Sequence, residues 1–301
     1  GLKDMCSILL AGGANPRIVT QTGVWAGSAA QLNCRTLFAG IQPANTPAVR
    51  KQQDPATLIA PPHSDEAFLK MLQDGQEILS DQWRFGENRE RPLIRACRAN
   101  KLHMVKAVIK AKGDPNERNN KGVPPIHAAA MRGFLPIVQF LVKEQKVDVD
   151  ATNKNGDSAL SLACWKNHAS TAIFLIDSKA NVERVDSFGD TVLLDAAKNG
   201  SPSLVEKLVN TGRLSLDHRN RERKTALINA VESPVTTRAS EADAVATVKI
   251  LLDAKANPNE ELDDSGLSVL MVAARQGGKD ICEALLAARA NPNHQNKMGN
   301  D

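Results

Sequence analysis

Histidine and cysteine side chains are the groups of this sequence best suited to bind a metal ion or to act as nucleophiles. The 301 residues include six histidines and five cysteines, and these are scattered along the chain. Structural zinc sites draw their ligands from closely spaced pairs, such as two nearby cysteines followed by two nearby histidines. No such double pair occurs here. The sequence therefore predicts no metal site.

Motifs that build enzyme active sites are also absent from the sequence. It contains no Gly-x-x-x-x-Gly-Lys-Ser/Thr phosphate loop, no His-Glu-x-x-His zinc helix and no Gly-x-Ser-x-Gly nucleophile elbow. Asp195 follows an apolar stretch, and we interpret it as a solvated or helix-capping carboxylate rather than a catalytic one. We therefore expect a protein that is not an enzyme and that uses no cofactor.

An alanine-rich heptad recurs along the chain and is its clearest organising feature. It occurs at 91–97, 124–130, 158–164, 191–197, 225–231 and 268–274. Counted at the second residue of each heptad, the steps are 33, 34, 33, 34 and 43 residues. A nearly constant period of this length is typical of a solenoid, in which one supersecondary unit is stacked many times.

Each period contains the signals of two short helices. The heptad forms the first helix, and a second apolar stripe follows it, as in Val105-Lys106-Ala107-Val108-Ile109, where spacings of three and four residues place the apolar side chains on one face. Turn residues such as Gly113-Asp114-Pro115-Asn116 and Ala256-Asn257-Pro258-Asn259 separate the units. The pattern predicts an all-α chain in which each unit is a helix, a tight turn, a helix and an extended turn.

These units resemble the ankyrin repeat. The segment Pro124-Pro125-Ile126-His127-Ala128-Ala129-Ala130-Met131-Arg132-Gly133 is similar to the family pattern Thr-Pro-Leu-His-x-Ala-Ala with its following glycine, and Asn167-His168 matches the Gly-His of that pattern with one change. Six units between 87 and 293 show this resemblance. It implies an all-α ankyrin-repeat solenoid of helix-turn-helix repeats joined by β-turn or hairpin loops, in which His127 and His168 make structural hydrogen bonds.

The cysteines favour a reducing compartment. Cys97 and Cys164 fall at alanine positions of the first helix, and Cys6 and Cys282 fall at an apolar position of the second helix, so all four are expected to be small buried apolar residues. Cys97 and Cys164 lie two units apart, about 20 Å if helix layers stack at about 10 Å, which is too far for a disulfide. We expect a reducing intracellular location such as the cytoplasm, the nucleus or an organelle interior. No run of 18 apolar residues is present to span a membrane.

Both ends of the chain resemble parts of a repeat. Residues 1–16 are similar to the second helix and turn at 279–292, and residues 294–301 are similar to the turn that opens a unit. We therefore expect a partial repeat at 1–16, six repeats at 87–293, the start of a further repeat at 294–301, and additional sequence beyond.

Residues 17–86 depart from the repeat pattern. Residues 18–49 carry one charged side chain, Arg35, and five prolines follow between 43 and 62. Proline in such numbers disfavours regular helix. We expect a long irregular insertion or arm, with a degenerate repeat as the alternative, and a helix near 65–83 that begins after the capping residue Ser64. Cys34 within it has no assigned role.

The fifth unit is longer than the others by about ten residues, counted from its step of 43. The surplus falls between its two helices, within 232–242. A tolerated surface loop is the first interpretation, because lengthening a loop costs little free energy. A projection that contacts a specific partner is the second.

The resemblance implies a binding face made of the turn tips and the exposed side of the first helices. On this face the predicted partner-binding residues are Arg98, Met131, Arg132, Trp165, Lys166, Phe188, Lys198, Asn199, Arg275 and Gln276. Large aromatic side chains at an exposed position act as anchors in protein interfaces, and Met131 would add an adaptable apolar neighbour. The alternative is that Trp165 covers the adjacent helix and Phe188 closes a turn.

Basic residues are concentrated in the first two units. Residues 91–132 contain ten lysines and arginines against two acidic residues, although the whole chain carries only +4. A basic surface favours an acidic protein partner, anionic lipid or nucleic acid. No aromatic residues are interleaved to stack on bases, so we favour an acidic protein surface and do not expect nucleic acid. A solvated helix face is the alternative.

We therefore predict a non-catalytic protein–protein interaction scaffold, or a stable accessory subunit of a large assembly, that binds its partner through the concave groove of the repeats. The alternative is the regulatory ankyrin array of a larger enzyme or channel.

Overall fold

A computed structural model describes residues 91–236, 239–262 and 265–297, together with Glu66, Leu69 and Lys70. Those three residues are helical. The predicted partial repeat at 1–16, the remainder of the segment 17–86 and residues 298–301 lie outside the described residues, as do Cys6 and Cys34.

Twelve helices occur within the described ranges, two in each unit. The first helices are α1 (Pro92–Arg98), α3 (Pro125–Ala130), α5 (Ala159–Trp165), α7 (Val192–Lys198), α9 (Ala226–Thr236) and α11 (Val269–Arg275). The second helices are α2 (Leu102–Lys110), α4 (Leu135–Lys143), α6 (Ala169–Asp177), α8 (Pro202–Val209), α10 (Glu241–Asp253) and α12 (Lys279–Ala287). The predicted helix-turn-helix units and the all-α class are confirmed.

Local sequence signals set where the helices begin and end. Ser158 and Thr191 accept backbone N–H groups at the start of α5 and α7, and prolines occupy the first positions of α1, α3, α4 and α8. After the first helices the chain adopts positive φ at Asn100, Gly133, Asn167, Gly200 and Gly277. Glycine and asparagine tolerate this left-handed conformation, so the tight turn into the second helix is encoded locally.

The helices form two layers with the core between them. First helices contact one another in unit order, second helices do the same, and the two helices of each unit contact each other. Leu93, Ile126, Leu160 and Leu193 of the first layer and Ile137 of the second are fully or almost fully buried. Because each unit packs on its neighbours, the apolar core runs continuously along the described units.

Short hairpins connect consecutive units. Isolated antiparallel bridges join Thr152 to Ser158, Val185 to Thr191 and Glu261 to Ser268, and these are the sole β pairings within the described ranges. The hairpins also bond to one another, since the Lys154 N–H donates to the Lys121 carbonyl at 3.2 Å and the Arg221 N–H donates to the Phe188 carbonyl at 3.1 Å. The hairpin tips of the second and third units, and those of the fourth and fifth units, are therefore hydrogen-bonded to each other.

The extra residues of the fifth unit lengthen its helices. Helix α9 has 11 residues and α10 has 13, against six to nine in the other helices. Ser233 is buried and donates its hydroxyl to the Ala230 carbonyl, and the Cβ of Ala239 packs against Gly200. The sequence favoured a surface loop, but the apolar and small residues around Ser233 continue the helix and pack on the preceding unit.

Candidate functional site

Large apolar side chains are exposed on the hairpins and first helices of the second to fourth units. Met131 is 41% exposed, Trp165 53% and Phe188 68%, with Val185 at 49%. We call this surface, made of the exposed side of the first helices and the hairpin tips, the first-helix face. Burial of large apolar side chains drives most protein association, so these residues are the candidates for a binding site on this face.

Trp165 is held at the carboxyl end of α5. A capping box between Ser158 and Ser161 fixes the start of this helix. At its other end, the side-chain amide of Asn199 donates to the carbonyls of Cys164 at 3.0 Å and Trp165 at 3.4 Å. The Lys166 ammonium lies 3.6 Å from the centroid of the indole ring, at the distance of a cation–π contact. The backbone of Trp165 is therefore fixed while its ring stays exposed.

Met131 follows the carboxyl end of α3 and is tied to the third unit. Its carbonyl accepts a hydrogen bond from Nε2 of His168 at 3.1 Å. The same imidazole packs so closely on Gly133 that a Cβ there would lie 2.5 Å from Nδ1. In the second unit, the His127 Nε2 donates to the Ala151 carbonyl at 2.7 Å. Both histidines thus make the structural hydrogen bonds that the repeat resemblance implied.

Phe188 lies at the tip of the hairpin 185–191. The Asp186 carboxylate accepts the backbone N–H groups of Phe188 at 2.7 Å and Asp190 at 2.8 Å. Gly189 supplies a φ of +81°, and a Cβ there would approach the Arg221 backbone nitrogen to 3.1 Å. The turn is closed by these backbone contacts, so the phenyl ring projects from a rigid tip.

The other predicted residues are spread along the face. Arg132, Lys166, Lys198 and Arg275 are exposed, whereas Arg98, Asn199 and Gln276 are half-buried. Arg275 lies three units from Trp165, about 30 Å away if helices stack at about 10 Å. The structure therefore brings these residues onto one extended surface and not into one pocket.

The basic residues of the first two units do not form one patch. They lie on α1, α2 and the following hairpin, and several of their side chains contact other groups of the same chain. Arg118 donates to the carbonyls of Gly122 and Thr152, and the Lys106 ammonium lies 5.3 Å from the Phe140 ring centroid. Exposed charge remains on this part of the chain, but it points in more than one direction.

Glu117 is a buried acidic residue that sequence reasoning missed. Its Oε2 lies 3.7 Å from the Arg91 Nε, and its Oε1 is buried without a hydrogen-bond partner. Burial raises the pKa of Glu117 to about 7, against the lowering effect of the Arg91 charge. Glu260 accepts a hydrogen bond from the Thr225 hydroxyl at the start of α9. Both carboxylates link one unit to the unit before it.

Asp195 was expected to be solvated or to cap a helix, and this expectation was wrong. The side chain is only 7% exposed, because α7 packs between α5 and α9. Burial, and then the carboxylates of Asp190 and Asp186, raise its pKa to about 8. The equivalent residues of the other units that are also buried are Ala128, Leu162, Asn229 and Val272, whereas Arg95 is exposed. Because two of these five residues are polar, the sequence at this position did not indicate that Asp195 is buried.

The cysteines of the described units are free thiols. Cys97 and Cys164 are fully buried, as expected of small apolar residues, but Cys282 is half-buried, which corrects the expectation for that position. Burial raises the pKa of all three thiols. Throughout the described ranges there is no group of three or more His, Cys, Asp or Glu side chains arranged to hold a metal ion. No described helix has the length and apolarity needed to cross a bilayer.

The chain is similar to known repeat proteins. A family model described as ankyrin repeats matches residues 93–186 and 193–296. Human transient receptor potential cation channel subfamily A member 1 is 24% identical over 176 residues, which are 56% of this chain and 16% of the channel. A mouse protein fem-1 homolog A-like is 34% identical over 70 residues, which are 23% of this chain and 11% of that protein. The chain thus matches less than a fifth of the length of these curated relatives.

Solved structures show the same architecture. An ankyrin repeat domain from Acinetobacter baumannii is 25% identical, with a TM-score of 0.58, and the match covers 66% of this chain and 98% of that domain. A chain in the complex of a predatory endopeptidase with an immunity protein from Bdellovibrio bacteriovorus is 28% identical, with a TM-score of 0.55 and the same coverage. Since the family model covers well over half of the sequence and the described helices stack in its pattern, the chain belongs to the ankyrin-repeat family.

Proposed function

We propose that the chain is a non-catalytic scaffold or accessory subunit whose protein partner binds the first-helix face. Ankyrin repeats generally mediate protein–protein interaction. Here Trp165 and Phe188 would anchor the partner, with Met131 beside them. The observation that carries the proposal is the exposure of these three large apolar side chains on backbone that hydrogen bonds hold rigid.

Rigidity matters because association is opposed by the entropy lost when interface groups become ordered. The hairpin tips are already fixed by side-chain and inter-hairpin hydrogen bonds. A partner therefore binds a preformed surface. Because less conformational entropy is lost on binding, more of the free energy gained by burying apolar side chains contributes to affinity. The exposed basic residues on the hairpin and first helix of the second unit, Lys121 and Arg132, would contact acidic groups of the same partner and speed its approach.

The partner is identified by capture of the tagged chain from its native source, followed by quantitative mass spectrometry. The test variant is Trp165→Ala/Phe188→Ala, and the control is Leu286→Ala, which truncates a similarly exposed apolar side chain on the second helix α12. We expect a stoichiometric partner whose recovery falls at least tenfold in the double variant and stays unchanged in the control, with helicity by circular dichroism equal in all three. A partner retained by the double variant would contradict the proposed face and direct attention to residues 17–86.

A second function is supported by one comparison. The matched segment of the human channel is 16% of that protein, so arrays of this kind occur within much longer chains. This chain could accordingly be the regulatory array of a larger enzyme or channel. The complete open reading frame distinguishes the two: a neighbouring catalytic or membrane-spanning segment supports the regulatory array, and its absence supports the scaffold.

A further inference from the structure

Two asparagine–glycine pairs occur in the sequence, Asn155-Gly156 and Asn199-Gly200. An asparagine that precedes glycine is chemically labile in water, because a glycine has no Cβ to shield its backbone nitrogen from the asparagine side chain. That nitrogen can attack the side-chain carbonyl carbon and expel ammonia. The reaction requires the side chain to rotate onto the nitrogen, so the surroundings of each pair determine whether it reacts.

Asn155 and Gly156 lie at the tip of the hairpin 152–158, and both are exposed. The backbone N–H of Asn155 donates to the Asn153 side-chain carbonyl at 2.8 Å, but its side-chain amide has no hydrogen-bond partner among the described residues. Gly156 has a φ of +86°, and no atom lies within 4 Å of the position that a Cβ would occupy. The Asn155 side chain is therefore free to rotate in the open space at this tip.

One backbone hydrogen bond opposes the attack at this tip. The Gly156 N–H donates to the Asn153 carbonyl at 3.1 Å, so this bond must open before the nitrogen can react. None of the residues 153–157 is buried. Exposed backbone hydrogen bonds with few buried contacts open locally at low free energy. Opening of the turn therefore frees the Gly156 nitrogen while the helices of the unit stay folded.

Asn199 is held by its surroundings. Its side-chain amide donates to the carbonyls of Cys164 at 3.0 Å and Trp165 at 3.4 Å, and both bonds would break if the side chain rotated. Gly200 is buried, and a Cβ there would lie 2.6 Å from the Cβ of Ala239. This pair therefore has neither a free amide nor open space around the glycine.

We propose that Asn155 is a modification site at which the native chain deamidates, whereas the fold protects Asn199. The Gly156 nitrogen loses its proton to solvent and bonds to the Asn155 side-chain carbonyl carbon. The bond from that carbon to the amide nitrogen breaks, and ammonia leaves a five-membered succinimide. Water then opens the ring. Cleavage at the side-chain carbonyl gives aspartate, and cleavage at the backbone carbonyl gives isoaspartate. Water is the sole co-reactant, and nothing is oxidised or reduced.

Either product places a new carboxylate at the tip of the third hairpin. This hairpin bonds to the preceding one through the Lys154 N–H and the Lys121 carbonyl, so the new charge lies on the first-helix face. Isoaspartate also adds one carbon to the backbone between residues 155 and 156, which disrupts the turn that the Gly156 N–H closes. The added negative charge would weaken binding of an acidic partner. That consequence rests on the proposed function, but the modification does not.

The test follows the purified chain at 37 °C, at pH 7.4 and pH 9, by proteolytic digestion and mass spectrometry. Aspartate and isoaspartate peptides have equal mass and separate by chromatography. Asn199 is the internal control of the same molecule, and the chain unfolded in guanidinium chloride gives the rate of each pair without the fold. Two variants accompany the wild type. Asn155→Gln removes the five-membered ring, and Gly156→Ala shields the attacking nitrogen.

We expect Asn155 to react at least tenfold faster than Asn199 in the native chain, and the two rates to agree within about threefold in the unfolded chain. The native rate at Asn155 should rise from pH 7.4 to pH 9, because the attacking nitrogen must lose a proton, and should fall at least tenfold in both variants. An intact Asn155 in the native chain after the unfolded chain has fully deamidated would overturn the inference. Equal native rates at Asn155 and Asn199 would also overturn it. The proposed function is decided separately by the capture experiment.

Discussion

At the scale of single residues, the first-helix face combines exposed apolar side chains with charged groups that the fold has buried. Trp165 and Phe188 could be selected from the sequence, because a large aromatic at a variable position of a repeat has no core to fill. Asp195 could not be placed correctly in the same way. A charged side chain is expected to be exposed to solvent. The burial of Asp195 results instead from the packing of α7 between α5 and α9.

The buried carboxyl of Asp195 should make stability depend on pH. Its pKa is raised from 3.8 to about 8 in the folded chain, so the native state binds a proton that the unfolded state releases, and stability declines as the pH rises from about 4 to about 8. Asp195→Asn removes this titration. We expect the variant to exceed the wild type by on the order of 2 kcal/mol at pH 9 and by much less at pH 4.

Urea unfolding at the two pH values measures this difference, with Asp177→Asn as the exposed control. Equal stability differences at pH 4 and pH 9 would show that Asp195 does not titrate between them in the folded chain.

At the scale of elements, the tight turn between the two helices of a unit depends on a residue with positive φ. Gly133 has a φ of +70°, and a Cβ there would lie 2.5 Å from the His168 Nδ1. Gly156, at a hairpin tip, has a φ of +86° with no atom within 4 Å of the same position. The two glycines therefore share the backbone requirement and differ in the space around them.

Gly133→Ala should destabilise the chain by roughly 2 kcal/mol more than Gly156→Ala. Both variants place an alanine in the left-handed conformation, which is unfavourable. Only Gly133→Ala also displaces the His168 ring from its hydrogen bond with the Met131 carbonyl. Thermal unfolding of the two variants measures the difference. Equal losses would mean that the imidazole moves aside without cost.

Helices and their order could be predicted from the sequence because each depends on local signals: the alanine-rich heptad, the apolar stripe and the turn residues. The fifth unit departed from prediction for a physical reason. Residues 232–236 contain Pro234, which disfavours the helix interior, yet the chain continues as helix to Thr236 because Ser233 is buried and hydrogen-bonded to Ala230. Such packing on the preceding unit is not visible in local propensity.

At the scale of the whole molecule, the described units form a stack in which each unit contacts its neighbours. Stability and surface therefore accumulate unit by unit. The repeat period was enough to predict this architecture and the residues that share the first-helix face.

The central claim is that a partner binds the first-helix face around Trp165 and Phe188. The measurement that tests it most directly is hydrogen–deuterium exchange of the chain, alone and in complex with the captured partner. We predict slower exchange in the complex at the hairpin 185–191 and at the carboxyl ends of α3 and α5, with the second helices α4, α6 and α8 unchanged. Protection confined to those second helices, or to residues 17–86, would contradict the claim.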